Sequence, residues 1–274
     1  MKIVIYTALI FVVYQLLLWI SGAAPGQGRD NFEQNCITAE NYRYLKKAPE
    51  VLIIGSSKTN FLDYHVLKDN VFHTGFGGQS CLIGLEILSK SKVLPRLICV
   101  EVGDTLQWPV EPRYVEVASS PFEIGDVLSC LQHRYQPCAL LLGLYLQMFP
   151  RQLPPEDFRR YLIEIQQLEL SGELDQRRRQ KVLDGCVQAR ALMEELRKRG
   201  AKIVMIDPPV EDSIAKSRYV SAVVRVVREY FAKTDFQLLT PPPYDWQTRD
   251  GTHLKPESGT HYSIWLQQNI QMLL

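Results

Sequence analysis

The sequence has no large excess of charge of either sign, and several patterns that mark common functional classes are missing from it. Its 274 residues include 31 Lys and Arg and 30 Asp and Glu, which gives a formal net charge of +1. A chain without a basic field is not expected to bind nucleic acid. Cys and His residues do not stand at the spacings of a zinc site, and we expect neither a metal nor another cofactor.

The chain also lacks the Gly-x-Ser-x-Gly motif that places the nucleophilic serine of α/β-hydrolases. It does contain serines directly after an apolar run, because Gly55-Ser56-Ser57-Lys58 follows Val51-Leu52-Ile53-Ile54. Far along the chain, Asp250-Gly251-Thr252-His253-Leu254 holds an acid three residues before a base. A hydroxyl becomes a good nucleophile when an imidazole takes its proton and a carboxylate orients that imidazole.

These stretches predict Ser57 as nucleophile, His253 as base and Asp250 as the acid that orients the base. Each residue also has an ordinary interpretation. A serine after a strand often caps a helix, a single histidine often only completes a loop, and an aspartate often forms a turn. The two stretches both follow predicted strands, where a site of this kind would lie, and this favours the catalytic interpretation.

With these motifs the sequence resembles the SGNH/GDSL hydrolase superfamily over roughly residues 50 to 272. Gly55-Ser56-Ser57 is similar to the first block of that superfamily, with Ser56 at the usual Asp position. His73-Thr74-Gly75-Phe76-Gly77-Gly78 is similar to the second block, and Gly103-Asp104-Thr105 corresponds to the third. The last block is matched by Asp250, His253, Leu254 and Gly259.

The resemblance implies an oxyanion hole built from Ser57, Gly78 and the third-block residue. Thr105 stands where the superfamily has Asn. Losing one oxyanion donor typically costs about 2.7 to 4 kcal/mol of barrier, so a slow site is expected rather than an inactive one. A helix after Ser57 is expected to add positive potential. Side chains that we expect to line the cleft are Lys58, Asn60, Asp104 and Asp207.

Short apolar runs alternate with segments that have apolar residues at helical spacing. This alternation predicts a parallel sheet with helices on both faces, and its functional site at the carboxyl ends of the strands. The resemblance further implies a three-layer α/β/α flavodoxin-like fold. The predicted strands are Val51 to Ile54, Val71 to His73, Leu97 to Val102, Lys202 to Ile206 and Phe236 to Leu239.

A long insertion, residues 107–200, separates the third and fourth predicted strands. It exceeds what a simple crossover needs and is expected to form a helical cap or a partner surface beside the cleft. The run Ala139 to Leu146 is apolar but too short to span a membrane, so we expect a buried helix. The predicted helices of the insertion are Ile124 to His133, Ala139 to Met148, Pro155 to Leu170 and Leu174 to Arg199.

The N-terminal region predicts export. Ile3 to Ile20 is almost wholly apolar, which is typical of a membrane anchor or of a long signal peptide. We therefore expect a signal peptide or anchor in residues 1–24, a linker in residues 25–48 and one catalytic domain in residues 49–274. Of six cysteines, Cys99 falls in a predicted strand and Cys81 on a predicted helix, positions that suit buried free thiols. Cys36, Cys130, Cys138 and Cys186 could pair, but four cysteines allow three connectivities and the sequence does not choose among them, so no bridge is predicted.

The sequence thus predicts an exported serine ester hydrolase or O-acyltransferase. The resemblance implies that its substrates are acyl esters of an envelope glycan, with acetyl as the expected acyl group. It would be anchored in the inner membrane and face the periplasm or extracytoplasmic space, or be secreted after signal cleavage. Its nearest resemblance is to branches that accompany membrane-bound O-acyltransferases, which implies such a partner. Two alternatives stay open: a weakly active or inactive scaffold of a polysaccharide acyltransferase system, and a lipid-directed esterase.

Overall fold

The computed structural model describes residues 2–45, 47–67, 70–150 and 152–274. In these ranges the chain divides into two compact units. The helical unit consists of Met1–Leu45 and Pro112–Gln152, and the sheet unit consists of Lys46–Glu111 and Leu153–Leu274.

The described residues form ten α-helices and five β-strands. The helices are α1 (Lys2–Ser21), α2 (Asn31–Arg43), α3 (Leu82–Lys90), α4 (Pro112–Ser119), α5 (Pro137–Met148), α6 (Glu156–Glu169), α7 (Gln176–Lys198), α8 (Asp212–Ala215), α9 (Arg218–Phe231) and α10 (Pro256–Leu273). The strands are β1 (Val51–Ser56), β2 (Val71–Phe76), β3 (Leu97–Glu101), β4 (Lys202–Ile206) and β5 (Gln237–Leu239). Short 3₁₀ turns lie at Ser57–Phe61, Asp104–Gln107, Ile124–Asp126, Ser129–Leu131 and His133–Tyr135.

All five strands pair in parallel, in the order β2-β1-β3-β4-β5. The predicted α/β class and five-stranded parallel sheet are confirmed. In the central register Ile54 pairs with Thr74 of β2 and with Val100 of β3. The carboxyl ends of these strands therefore meet at one edge of the sheet, where the segments that follow them come together.

Helices cover both faces of the sheet. Successive side chains of a strand point to opposite faces, so each strand contributes residues to both helix layers. On one face Ile53 and Cys99 join a buried cluster with Tyr262 and Leu266 of α10. On the other face α3 lies so close to β1 that a Cβ on Gly84 would stand 2.9 Å from the Cβ of Ile54. Both faces are thus buried, which explains why the strands read as continuous apolar runs.

Helix α7 is a crossover that packs directly on the turn after β3. Gly185 faces this turn, and a Cβ there would lie 1.9 Å from the backbone oxygen of Leu106. Only glycine permits this separation between the helix and the turn. This turn carries Asp104 and Thr105. It can lie at this distance from α7 only because residue 185 has no Cβ.

We expect Gly185→Ala to destabilise the fold even though alanine favours helix more than glycine does. Overpacking of a closed contact typically costs about 1–3 kcal/mol. Gly172→Ala is the matched control, since nothing lies within 4 Å of a Cβ at Gly172. Urea unfolding of both variants measures the difference. Equal stability of the two variants would contradict the close packing of α7 on the turn.

The helical unit is held by polar contacts as well as by packing. Arg43 donates through Nη2 to Asp126 Oδ2 at 2.6 Å and through Nη1 to the carbonyl of Ser120 at 2.7 Å. The hydrogen bonds from Arg43 hold the pKa of Asp126 well below its usual range. Glu40 accepts the backbone N–H groups of His133 and Arg134, at 2.7 and 2.9 Å. Helix α2 is thereby tied to the segment that precedes α5.

The prediction of a linker in residues 25–48 is wrong for Asn31–Arg43, which form α2. Asp30 caps this helix by accepting the N–H of Glu33 at 2.9 Å. Cys36, Ile37 and Ala39 are buried. The few apolar residues of α2 gave a weak periodic signal, and the helix is fixed by contacts to residues far away in the chain. The predicted single domain of residues 49–274 likewise differs from the observed units, because residues 112–152 group with the N-terminal segment.

Two further predictions for the insertion are corrected. The helix predicted from Ile124 to His133 is absent: three 3₁₀ turns occupy the region, and Glu123 and Asp126 cap the first of them reciprocally. Helix α5 is present, but it is not a buried helix. Leu141 and Met148 are each 67% exposed. The other two predicted helices are observed as α6 and α7.

None of the six cysteines is in a disulfide. Cys99 lies in β3 as predicted and is buried, and burial raises the pKa of its thiol to about 12. Cys81 is also buried, but it is the residue before α3 rather than part of that helix.

Candidate active site

The residue that follows β1 faces a loop from the far end of the sheet unit. Ser57 begins the 3₁₀ turn Ser57–Phe61, directly after the last residue of β1. His253 and Asp250 lie in the loop between β5 and α10. An isolated antiparallel bridge between Thr248 and Leu254 closes this loop on itself. Parallel strand topology therefore brings together two sequence stretches that lie far apart.

Ser57, His253 and Asp250 form a continuous hydrogen-bonded chain. His253 Nε2 lies 2.8 Å from Ser57 Oγ, across 196 residues of sequence. His253 Nδ1 lies 2.7 Å from Asp250 Oδ2. All three residues are partly exposed, so small molecules have access to the serine oxygen. In this geometry the imidazole can take the serine proton while the carboxylate stabilises the resulting positive charge.

Asp250 is fixed by its own loop. Its Oδ1 accepts the backbone N–H groups of Thr252 and His253, at 3.1 and 2.9 Å. Burial by itself would raise the pKa of Asp250, but the hydrogen bonds from His253 and the backbone, together with the imidazole charge, hold it below the usual value. Gly251 adopts φ +96°, which a side chain would strain. The short Asp-Gly-Thr-His spacing therefore produces a preorganised carboxylate.

The imidazole of His253 is also held from the side. The ring of Phe61 packs on it with centroids 4.5 Å apart and planes inclined by 42°. The guanidinium of Arg249 covers Phe61, with Cζ 4.9 Å from the ring centroid. Phe61 ends the turn that Ser57 begins, so one short segment contacts His253 through both Ser57 and Phe61.

A buried carboxylate at the end of β3 holds the start of that segment. Glu101 Oε2 accepts the backbone N–H of Ser56 at 2.7 Å, and Oε1 accepts the Ser56 hydroxyl at 2.8 Å. Burial raises the pKa of Glu101. Of the two serines, Ser56 is thus occupied by a structural contact, whereas Ser57 is directed at His253. The sequence analysis did not select Glu101, although a charged residue at the end of an apolar strand was the available signal.

Lys58 is buried among carboxylates beneath the serine turn. Its Nζ lies 2.7 Å from Asp104 Oδ1 and 4.0 Å from Glu101 Oε1. Burial by itself would lower the pKa of Lys58, but the charges of Asp104, Glu101 and Asp207 raise it, so the ammonium stays charged. Burial raises the pKa of Asp207 to about 6. Lys58 compensates three acidic groups at the ends of two strands, β3 and β4, and is not an isolated entrance residue.

Two cavities adjoin this cluster, with volumes of about 660 and 580 Å³. Both are lined by Lys58, Asp104, Gln166, Leu170 and Thr252. The larger one contains the hydrogen-bonded chain, and its wall includes Ser57, Asp250, His253, Thr105, Trp108, Leu162, Ile165 and Tyr219. The smaller one is bounded on its far side by Asp207, Pro208, Pro209, Ile214, Val224, Leu238 and Trp246.

The predicted oxyanion residues are placed differently from one another. Thr105 lines the larger cavity and is 1% exposed, and its hydroxyl has no hydrogen-bond partner among the described residues. Gly78 lies beyond the end of β2 with φ +67°, is exposed, and does not line that cavity. Asn60 does not line it either, because its Nδ2 donates to the carbonyl of Gly75 at 3.1 Å. The helix expected after Ser57 is only a five-residue 3₁₀ turn, which contributes a small dipole.

Arg159 of α6 clamps the loop that carries the acid and the base. Its Nε donates to the carbonyl of Thr248 at 2.5 Å, and its Nη2 donates to Glu211 Oε2 at 2.8 Å. Glu211 in turn accepts the Thr248 hydroxyl at 2.5 Å, and its backbone N–H donates to the carbonyl of Gly251 at 2.9 Å. The side chain of Arg159 is only 8% exposed.

A second residue of α6 touches the same loop. Gln166 Nε2 donates to the hydroxyl of Thr252 at 2.5 Å. A Cβ on Gly251 would lie 2.3 Å from Gln166 Oε1, so the helix and the loop are in close contact. Sequence reasoning placed α6 beside the cleft but did not select Arg159 or Gln166. Nothing in the local sequence distinguishes them from surface residues of an amphipathic helix.

Two other histidines, His73 and His261, pack against aromatic rings. His73 stacks on Tyr64 with ring centroids 3.7 Å apart, and burial lowers its pKa to about 4. His261 stacks on Tyr244 with ring centroids 4.0 Å apart. In the described ranges no cluster of three or more His, Cys, Asp and Glu side chains is arranged to hold a metal ion.

The chain was compared with protein-family models and with curated proteins. No protein-family model matches the chain, and no curated protein matches it.

We expect Arg159→Met to lower the free energy of unfolding by about 3 kcal/mol, because it leaves Glu211 in a largely buried position without its cation. Arg160→Met is the matched control. Its guanidinium, one residue along α6, is 65% exposed and pairs with an exposed Asp157, so its loss should have little effect. Denaturant unfolding of both variants is the measurement. Similar losses in the two would show that the clamp is not a strong contact.

Proposed function

We propose that this protein is a serine ester hydrolase or O-acyltransferase of the SGNH type. The observation that carries the proposal is the hydrogen-bonded chain from Ser57 Oγ through His253 to Asp250, with contacts of 2.8 and 2.7 Å. A nucleophile, a base and an orienting acid within contact distance are the set that acyl transfer requires.

In the proposed reaction Ser57 Oγ attacks the carbonyl carbon of an ester while His253 Nε2 takes the hydroxyl proton. The tetrahedral intermediate expels the alcohol, which receives that proton from His253, and an acyl-Ser57 remains. Water then attacks the acyl-enzyme to give a carboxylic acid, or a sugar hydroxyl attacks it to give a new ester. Asp250 stabilises the imidazolium in both halves of the reaction.

The oxyanion donors proposed are the backbone N–H of Ser57 and the hydroxyl of Thr105. The Thr105 hydroxyl supports this role, because it lines the cavity, is buried and lacks a partner among the described residues. Gly78 enters the proposal through the resemblance alone. Gly78 is exposed and does not line the cavity that contains Ser57.

The SGNH assignment draws support from strand order and from the placement of the motifs. The order β2-β1-β3-β4-β5 is that of flavodoxin-like sheets. Residues of the first three sequence blocks follow β1, β2 and β3, and the last block lies in the loop before α10. A common strand order shows architecture, so the reaction is argued from the site.

For location, we propose a retained anchor that holds the catalytic unit outside the cytoplasm. Helix α1 is long and apolar enough to cross a membrane. The Tyr14 hydroxyl donates to the carbonyl of Tyr135 at 2.5 Å, and Gln15 Oε1 accepts the N–H of Cys130 at 3.0 Å. Cleavage of α1 as a signal peptide would remove both Tyr14 and Gln15 together with these contacts. The contacts therefore favour an α1 that stays attached to the chain. The substrate class proposed is an acetylated envelope glycan, with a membrane-bound O-acyltransferase as partner.

A second candidate is a scaffold subunit of a polysaccharide acyltransferase system with little activity of its own. The observations that favour it are Thr105 at the oxyanion position and the fact that Gly78 does not line the cavity. The intact contacts between Ser57, His253 and Asp250 favour the enzyme.

We expect a fluorophosphonate probe to label the full-length protein covalently and Ser57→Ala to abolish the labelling. Ser56→Ala is the matched control: its hydroxyl is bound to Glu101, so labelling should persist in the folded fraction. Gel fluorescence and the mass of the labelled peptide measure the result. A folded wild type that stays unlabelled, beside a serine hydrolase that labels, would contradict the enzyme and favour the scaffold.

We expect Thr105→Val to lower kcat for a model acetyl ester by up to about 10²- to 10³-fold, because it keeps the shape and removes the donor. Thr105→Asn should retain or raise kcat, since the amide also donates. Steady-state kinetics with folding checked by circular dichroism is the measurement. An unchanged kcat in the Val variant would show that the backbone donors are sufficient.

A further inference from the structure

Helix α5 is apolar on two opposite faces. Ala139 and Gly143 are buried against the segment that follows α1, where a Cβ on Gly143 would lie 3.4 Å from Gly26 Cα. The other face exposes Leu141, Leu144, Tyr145 and Met148 by 54–67%. These four residues stand at i, i+3, i+4 and i+7 and so form one stripe.

The stripe is unusual for a surface in water. Residues 135–150 contain no charged side chain. The turns before α5 expose further apolar residues, with Phe122, Ile124 and Val127 each more than half exposed. An exposed apolar stripe on one helix face, without a charged residue near it in the sequence, is typical of a surface that binds a partner or a membrane.

The contacts of α1 set the depth of α5 in a membrane. A helix of 20 residues is about 30 Å long, which matches the hydrocarbon core of a bilayer. Tyr14 and Gln15 lie about 10 Å along the axis before the end of α1 at Ser21. They bind the backbone of Tyr135 and Cys130, which immediately precede α5. The start of α5 is therefore held about 10 Å below the end of the spanning helix, where interfacial helices lie.

Two more contacts keep α5 at this level. The N–H of Gly26 donates to the carbonyl of Arg134 at 2.7 Å, and the N–H of Gln27 donates to the carbonyl of Ala139 at 3.0 Å. The segment that leaves α1 is thus bonded to the beginning of α5. The contact with the turn also accounts for Gln15, the one amide in the apolar run of α1. Its side chain is buried, and its Oε1 accepts the N–H of Cys130.

We infer that the exposed stripe of α5 (Leu141, Leu144, Tyr145, Met148) is a lipid-binding surface that lies in the bilayer interface on the side where α1 ends. The inference rests on the proposed anchoring by α1 and extends it from a single span to a span with an interfacial helix. The occupant is the acyl and headgroup boundary of the bilayer, because the stripe is uncharged and the residues just before α5 are hydrogen-bonded to the proposed spanning helix.

The test uses the full chain in vesicles of phosphatidylethanolamine and phosphatidylglycerol, with and without brominated acyl chains that quench indole fluorescence. Trp19 of α1 is exposed and would itself be quenched, so the background carries Trp19→Phe. Leu144→Trp and the control Val187→Trp are made in that background. Val187 is an apolar residue of α7 that is exposed to the same degree, 56%, in the sheet unit.

We expect brominated lipid to quench the fluorescence added by Leu144→Trp several-fold more strongly than that added by Val187→Trp. Met148→Trp repeats the measurement one turn along the same stripe. Equal quenching at the stripe and at the control position overturns the inference. Oxidation of Leu144→Cys in the same vesicles tests a second copy of the chain: a disulfide-linked dimer, absent in wild type, overturns the lipid surface in favour of a homodimer.

Alkaline carbonate extraction and fluorophosphonate labelling of the same samples separate this inference from the proposed function. A chain that carbonate releases overturns both the anchor and the interfacial helix. A retained chain whose introduced indoles are not quenched overturns the interfacial helix alone. A chain that is quenched at the stripe but is not labelled at Ser57 contradicts the proposed enzyme activity and leaves the interfacial helix standing.

Discussion

The hydrogen bond from the backbone N–H of Ser56 to the buried carboxylate of Glu101 is the constraint on which the candidate site depends. β1 and β3 pair in parallel, so the last residues of both strands meet at one edge of the sheet. There a buried carboxylate binds both the N–H and the hydroxyl of Ser56. With Ser56 held in this way, the chain turns at once and directs Ser57 away from the sheet, toward His253. Lys58, the next residue, neutralises part of the acidic charge that this arrangement buries.

The second half of the site is positioned by an element that is not part of the parallel sheet. The loop with Asp250 and His253 is internally ordered, but its place in the fold is set by α6, through Arg159 on Thr248 and Gln166 on Thr252. Because Arg159 also binds Glu211, one guanidinium joins the helix, the loop and the segment after β4. The proposed reaction needs such support, since a small displacement would separate His253 from Ser57.

The N-terminal helix is part of the folded helical unit. α1 contributes Tyr14 and Gln15 to contacts with the turns before α5, and α2 binds the same region through Glu40. Because these contacts join α1 to a folded unit, the proposed anchor would hold that whole unit, and not only the chain end, at the bilayer.

The sequence alone determined the α/β class, the five parallel strands and the three residues of the hydrogen-bonded chain. Apolar strand runs, glycines at the ends of strands and the Asp-x-x-His spacing are each contained in a short stretch of chain. Such local patterns can be recognised from the sequence without knowledge of the fold. The tertiary structure alone decided the roles of Glu101, Arg159 and Gln166, since their partners lie far away in the chain. It also decided that Asn31–Arg43 fold as a helix and that α5 keeps an apolar face outward. Periodicity shows which residues are apolar, but only packing shows which of them find a partner.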